Sequence, residues 1–145
     1  MCMEPLDSTM ILIRRPNLPV TLGAGRCLLF AYGQLQPRHR PPKTTSQAWP
    51  DRVRGLLFDL GRFPAAVNVD RANTWIHGYV IEIQENELTQ ELDEFEELAK
   101  GLYRRIRTTT EAGFDAWIYE YARPLPPQAI GPIDRWPVVG PGAKE

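Results

Sequence analysis

The residues with the most chemistry to offer lie in one acidic stretch: Glu87, Glu91, Asp93, Glu94, Glu96 and Glu97. Among them the apolar residues Leu88, Leu92, Phe95, Leu98 and Ala99 recur at spacings of three and four, which predicts an amphipathic helix over 86–100. Asn86 supplies an N-cap, and Gly101 stands just past the end, where a left-handed residue is wanted. On a wheel of about 100° per residue, Asp93, Glu94 and Glu97 fall opposite Leu92, Phe95 and Ala99 and face water. Glu91 and Glu96 instead flank the apolar stripe. A carboxyl pushed toward a core loses hydration, its pKa rises, and it can exchange a proton near neutral pH. The pattern offers one general acid/base and leaves open whether Glu91 or Glu96 is that group.

Other chemistries lack their parts. The only serines, Ser8 and Ser46, sit in no Gly-x-Ser-x-Gly elbow. His39 and His77 have no Cys or acidic residue at metal-ligand spacing, and His77 reads as a structural histidine within a strand. Gly23-Ala24-Gly25 precedes a strand, whereas a dinucleotide loop follows one, and no Gly-Lys-Ser/Thr is present. The basic loop Arg38-His39-Arg40-Pro41-Pro42-Lys43 reads as a solvated connector. With a formal net charge of -1 and a pI near 6.1, no global field recruits nucleic acid or anionic lipid. Chemistry without metal, cofactor or nucleic acid is expected.

The elements that must position an acid/base are mostly strands. Cys27–Tyr32 is a continuous apolar run ending at Gly33, as a buried strand feeding a turn would be. Val53–Leu60, Ala65–Val69, Trp75–Ile83, Tyr103–Thr110 and Ala116–Tyr121 are further candidates, with Glu111–Asp115 as a hairpin loop between the last two. At 145 residues, 43% hydrophobic and 24% charged, the chain makes one globular core. Of the 14 prolines, 12 cluster at the N-terminus, at 37–42 and from Pro124 to Pro141. Those segments are read as extended loops, the last as a wrap over the surface. No apolar run approaches the roughly 20 residues that span a bilayer, no secretory signal is visible, and Cys2 and Cys27 make no disulfide framework. A cytoplasmic setting is expected.

Four ordered stretches resemble blocks of the γ-glutamylcyclotransferase-like (AIG2-like) family. Phe30-Ala31-Tyr32-Gly33-Gln34-Leu35 is similar to its strand and Tyr-Gly-x-Leu loop. Val53–Ala65 resembles its Gly…Leu-Tyr-Asp-Leu-Gly…Tyr-Pro-Ala block, and His77–Ile83 its Val-x-Gly-Glu-Val-Tyr-Glu-Ile strand. Leu92-Asp93-Glu94-Phe95-Glu96, followed by Tyr103-Arg104-Arg105, resembles its Leu-Asp-x-Tyr-Glu…Tyr-x-Arg block. The likeness covers roughly 27–122, and Trp136 is similar in place to a tryptophan near the family's C-terminus. It implies an α+β fold, a small mixed β-barrel with flanking helices, over 26–123. An N-terminal extension (1–25) and a proline-rich tail (124–145) lie outside.

The resemblance also implies a site and a reaction. The loop Tyr32, Gly33, Gln34 and Leu35 would bind the γ-glutamyl group, and Glu96, rather than Glu91, would be the catalytic acid/base. Tyr103 and Arg105 share a strand face by alternation and would line the cavity. The expected reaction cyclises a γ-glutamyl amide to 5-oxoproline and releases an amine or amino acid, with a small molecule as sole partner and no metal or cofactor. Gln34 departs from the small Ser or Thr common in that loop, Gln36 stands where many relatives have Arg, and Tyr79 occupies a Glu position. A bulky Gln34 at the pocket mouth favours the alternative of a non-catalytic binding module on the same fold.

Overall fold

The computed structural model describes residues 10–12, 21–33, 36, 47–92 and 101–137. Ten strands appear in it: β1 (Met10–Leu12), β2 (Thr21–Gly23), β3 (Arg26–Ala31), β4 (Gln47–Arg54), β5 (Leu56–Asp59), β6 (Pro64–Val67), β7 (Trp75–Gln84), β8 (Tyr103–Thr109), β9 (Asp115–Tyr121) and β10 (Ile130–Ile133). A five-stranded sheet has the order β4-β7-β3-β9-β8, a three-stranded sheet the order β10-β5-β6, and β1 pairs with β2. All pairings are antiparallel except β3 with β9. The α+β class stands, and the sheet is mixed. The expected barrel does not close: the strands of the five-stranded and three-stranded sheets pair only within their own sheets.

Alternation along β3 explains its continuous apolar run. Leu28 and Phe30 enter one buried cluster, with Val53, Leu57, Ile76, Val80, Phe114 and Ile118. Cys27, Leu29 and Ala31 enter another, with Ile81, Ile83, Leu88, Tyr103, Trp117 and Tyr121. A strand buried on both faces has no polar face to show. Gly78 of β7 stands where the sheet is tightest: a Cβ there would meet the Ala31 carbonyl oxygen and lie 2.9 Å from Phe30 Cζ. Gly78→Ala is therefore expected to destabilise the fold by roughly 1–3 kcal/mol through overpacking, read as a lower urea midpoint at unchanged slope.

Three segments differ from the sequence reading. The Val53–Leu60 run is two strands, because the chain leaves the large sheet at Gly55 for the small one. Gly55 N donates to the Thr74 carbonyl (3.0 Å), and Thr74 Oγ1 donates back to the Gly55 carbonyl (2.6 Å). The helix starts earlier than Asn86: α1 (Glu85–Glu87) follows β7 directly from Gln84, which makes no side-chain cap. The Glu85 N–H instead donates to the Gly25 carbonyl of the β2–β3 turn (2.7 Å), so no Asn cap is needed there. The helix then widens into a π-turn, Leu88–Leu92. Finally, the proline-rich stretch after Pro124 is more than a surface wrap, since β10 pairs with β5 and Trp136 is buried in the first cluster. Pro132 fits there because β10 is an edge strand. The hairpin between β8 and β9 is as expected, and Gly101 has φ +75.

Candidate active site

Three of the four stretches singled out in the sequence meet at the end of β3. Tyr32 is buried, and its hydroxyl donates to the Tyr119 carbonyl of β9. That side chain anchors the strand end. Gly33 packs against β6: a Cβ there would lie 2.9 Å from Pro64 Cγ and 3.1 Å from Cδ, so no larger residue brings the loop this close. Tyr103 pins the same proline from the other side, its hydroxyl donating to the Pro64 carbonyl at 2.6 Å. Its ring makes edge contacts with Phe63 and Tyr121, at centroid distances of 6.1 and 5.4 Å.

Arg105 shares the face of Tyr103, as alternation predicts. Its guanidinium lies 4.5 Å over the Trp117 ring, and Arg107 lies 4.9 Å over it. Trp117 was not singled out in the sequence, although Trp117, Tyr119 and Tyr121 alternate onto one face of β9. Its Nε1 is buried and has no hydrogen-bond partner among the described residues, which costs roughly 1–3 kcal/mol unless a ligand or water accepts it. Leu88 and Leu92 of the π-turn pack into this same cluster, so the segment leading to Glu96 covers the face that carries Tyr103 and Trp117. Gln34, Leu35 and Glu96 themselves, and the basic loop at 38–43, lie outside the described residues.

Among the described residues three carboxylates are buried, Glu82, Glu87 and Glu120, and each is engaged. Glu82 accepts from Arg26 Nε at 3.0 Å. Glu120 accepts from Arg104 Nε at 3.0 Å and from the Val69 N–H at 3.1 Å. Charged donors of this kind hold a carboxylate in place. Among the described residues, no three His, Cys, Asp or Glu side chains group as a metal site would require. No described helix is long and apolar enough to cross a membrane.

Gln36 is the residue that sequence reasoning undervalued. It is 3% exposed, and its Nε2 donates to the carbonyls of Tyr32 (3.0 Å), Gly33 (3.1 Å) and Trp136 (2.8 Å). No local pattern marks a contact between residues 100 apart.

An open groove of about 790 Å³ lies elsewhere, lined in part by Arg52, Trp75, His77, Asp134 and Arg135 and by none of the predicted site residues. β7 extends past the end of β3 here, and the His77 N–H donates to the Asp134 carbonyl at 2.7 Å. Burial holds the His77 imidazole below its usual pKa, helped by Arg135 and Arg52 and opposed by Asp134 and Glu111. The native state thus binds this proton more weakly than the unfolded chain, and acid below the ordinary value of about 6.5 favours unfolding. Relative to His77→Gln, the wild type should lose stability as pH falls from about 7.5 to about 5.5. A stability difference constant with pH would show that His77 contributes nothing to acid sensitivity.

The family model described as "Gamma-glutamyl cyclotransferase, AIG2-like" matches residues 29–137. Among solved structures, an uncharacterized protein from Pyrococcus horikoshii is similar at a TM-score of 0.56 and 21% identity, covering 71% of this chain and 84% of that one. An AIG2-like protein from Mus musculus is similar at 0.56 and 17%, with coverages of 70% and 80%. YkqA from Bacillus subtilis is similar at 0.55 and 27%, over 66% of this chain but only 36% of its own. No curated protein matches the sequence.

Proposed function

From the premise that this chain belongs to the gamma-glutamyl cyclotransferase, AIG2-like family, we propose that it cyclises a γ-glutamyl amide to 5-oxoproline. The observation that carries the reading is the meeting of the Tyr32–Gly33 loop, Pro64 and Tyr103 beneath the segment that leads to Glu96. The family match spans all of these positions.

The substrate carries its own nucleophile. Its α-amine attacks the γ-carbonyl carbon, a five-membered ring closes, and the amide C–N bond breaks to free an amine or amino acid. At neutral pH the α-amine is protonated and inert, so Glu96 takes a proton from it and returns one to the leaving nitrogen. Holding the chain folded for ring closure supplies orientation, which reaches effective molarities of about 10⁵–10⁸ M in favourable cases. Backbone N–H groups of Gly33, Gln34 and Leu35 receive the α-carboxylate or the developing oxyanion. The Trp117 Nε1–H, left without a partner among the described residues, is a further donor available on the same sheet face.

The test is release of 5-oxoproline from a panel of γ-glutamyl amino acids and amines. Turnover of at least one compound is expected. A binding module of the same fold, the reading that Gln34 favours, would show ligand-induced rises in melting temperature with no product from any of them.

A further inference from the structure

We infer that Gln36 is a positioning residue that aims the Gly33 N–H into the site by holding the carbonyls of Tyr32 and Gly33 from behind. The inference rests on the reading of this loop as the substrate-binding element. Each trans peptide sets its C=O and N–H on opposite sides. The Tyr32 carbonyl and the Gly33 N–H share one peptide plane, so fixing the first to Gln36 Nε2 (3.0 Å) turns the second the other way. The Gly33 carbonyl is held twice, by Gln36 Nε2 (3.1 Å) and by the Gln36 backbone N–H (3.0 Å).

The clamp needs an anchor, and the C-terminal segment provides it. Gln36 Nε2 also donates to the Trp136 carbonyl at 2.8 Å. Trp136 is fixed in turn, since its ring lies in the first core cluster and its Nε1 donates to Asp59 Oδ1 at 3.0 Å. That same oxygen accepts the Gly61 N–H at 2.8 Å. A continuous line of hydrogen bonds therefore runs from β5 through Trp136 and Gln36 to the loop. Three carbonyls converge on one amide nitrogen, which identifies that end of the side chain as the donor. A carboxylate of the same shape would meet three acceptors with no hydrogen to give.

Two nearly isosteric variants test this. In Gln36→Met the donor is gone while the volume is kept. The Gly33 amide resonance should shift and broaden, because the Tyr32–Gly33 peptide loses the bond that fixes its orientation. The KM for the best γ-glutamyl substrate should rise by about tenfold or more, and the pH profile of kcat should keep its shape because Glu96 is untouched. In Gln36→Glu both effects should be larger near neutral pH and should partly reverse on acidification, when the introduced carboxyl regains an O–H donor. A Gly33 amide resonance unchanged from the wild type in both variants would overturn the inference. So would a Gln36→Glu defect that does not respond to pH, which also serves if Gln36→Met fails to fold. A shifted Gly33 resonance in a protein that releases no 5-oxoproline would sustain the clamp and defeat the cyclotransferase reading alone.

Discussion

Glu96→Gln is expected to cut 5-oxoproline release by roughly 10²–10⁴-fold, the range of a lost general acid/base, with the urea midpoint nearly unchanged. The amide keeps the shape of the carboxyl but cannot take a proton from the α-amine or return it to the leaving nitrogen. Substrate binding should survive, because the α-carboxylate is assigned to backbone donors of the Tyr32–Leu35 loop. The loss should therefore appear in kcat with little change in KM. That split separates Glu96 from Gln36, whose variants act on KM. A Glu91→Gln control should retain most of the activity. Wild-type turnover in Glu96→Gln would remove Glu96 from the mechanism, and a loss confined to Glu91→Gln would move the role to that residue.

Phe114→Ala is expected to be the most damaging single truncation in the β8–β9 hairpin, at roughly 3–5 kcal/mol. For a chain of this length each kcal/mol is about 2–4 °C in Tm. Phe114 is completely buried, stacks against Trp49 with ring centroids 5.3 Å apart, and belongs to the cluster that holds Phe30, Ile76 and Ile118. Its backbone is also pinned, with N–H to Thr110 Oγ1 (3.1 Å) and carbonyl to the Thr110 N–H (2.8 Å). Truncation would leave a cavity that this fixed loop cannot collapse to fill. Glu111→Ala in the same loop should cost less than about 1 kcal/mol, since its bidentate pair with Arg52 is solvent-exposed. Equal costs for the two variants would mean that the loop, like most loops, contributes little to the core.

That contrast marks the reach of sequence reasoning. Phe114 sits among Glu111, Gly113 and Asp115, and a loop reading follows from those neighbours. What makes it a core residue is Trp49, far away in the chain. The acidic helix shows a related limit. A wheel of about 100° per residue assumes an unbroken α-helix, and the π-turn at Leu88–Leu92 departs from that geometry. The Asn86 cap failed on similar grounds, because its task was taken by Gly25 from another part of the chain.

Local sequence was enough to mark β3, β7, β8 and β9, whereas β1, β2, β10 and the first part of β4 carried no such signal. Continuous apolar runs mark strands buried on both faces, turn residues mark the β8–β9 hairpin, and the ordered blocks identify the family and its loop. These signals are local, since a residue's neighbours along the chain settle its backbone preference and its face. It took the folded chain to join Gly33 to Tyr103 through Pro64 and to tie Gln36 to Trp136. Both are contacts between residues distant in sequence. Such contacts leave no periodic trace, because the partner that gives the side chain its role is brought there by the fold.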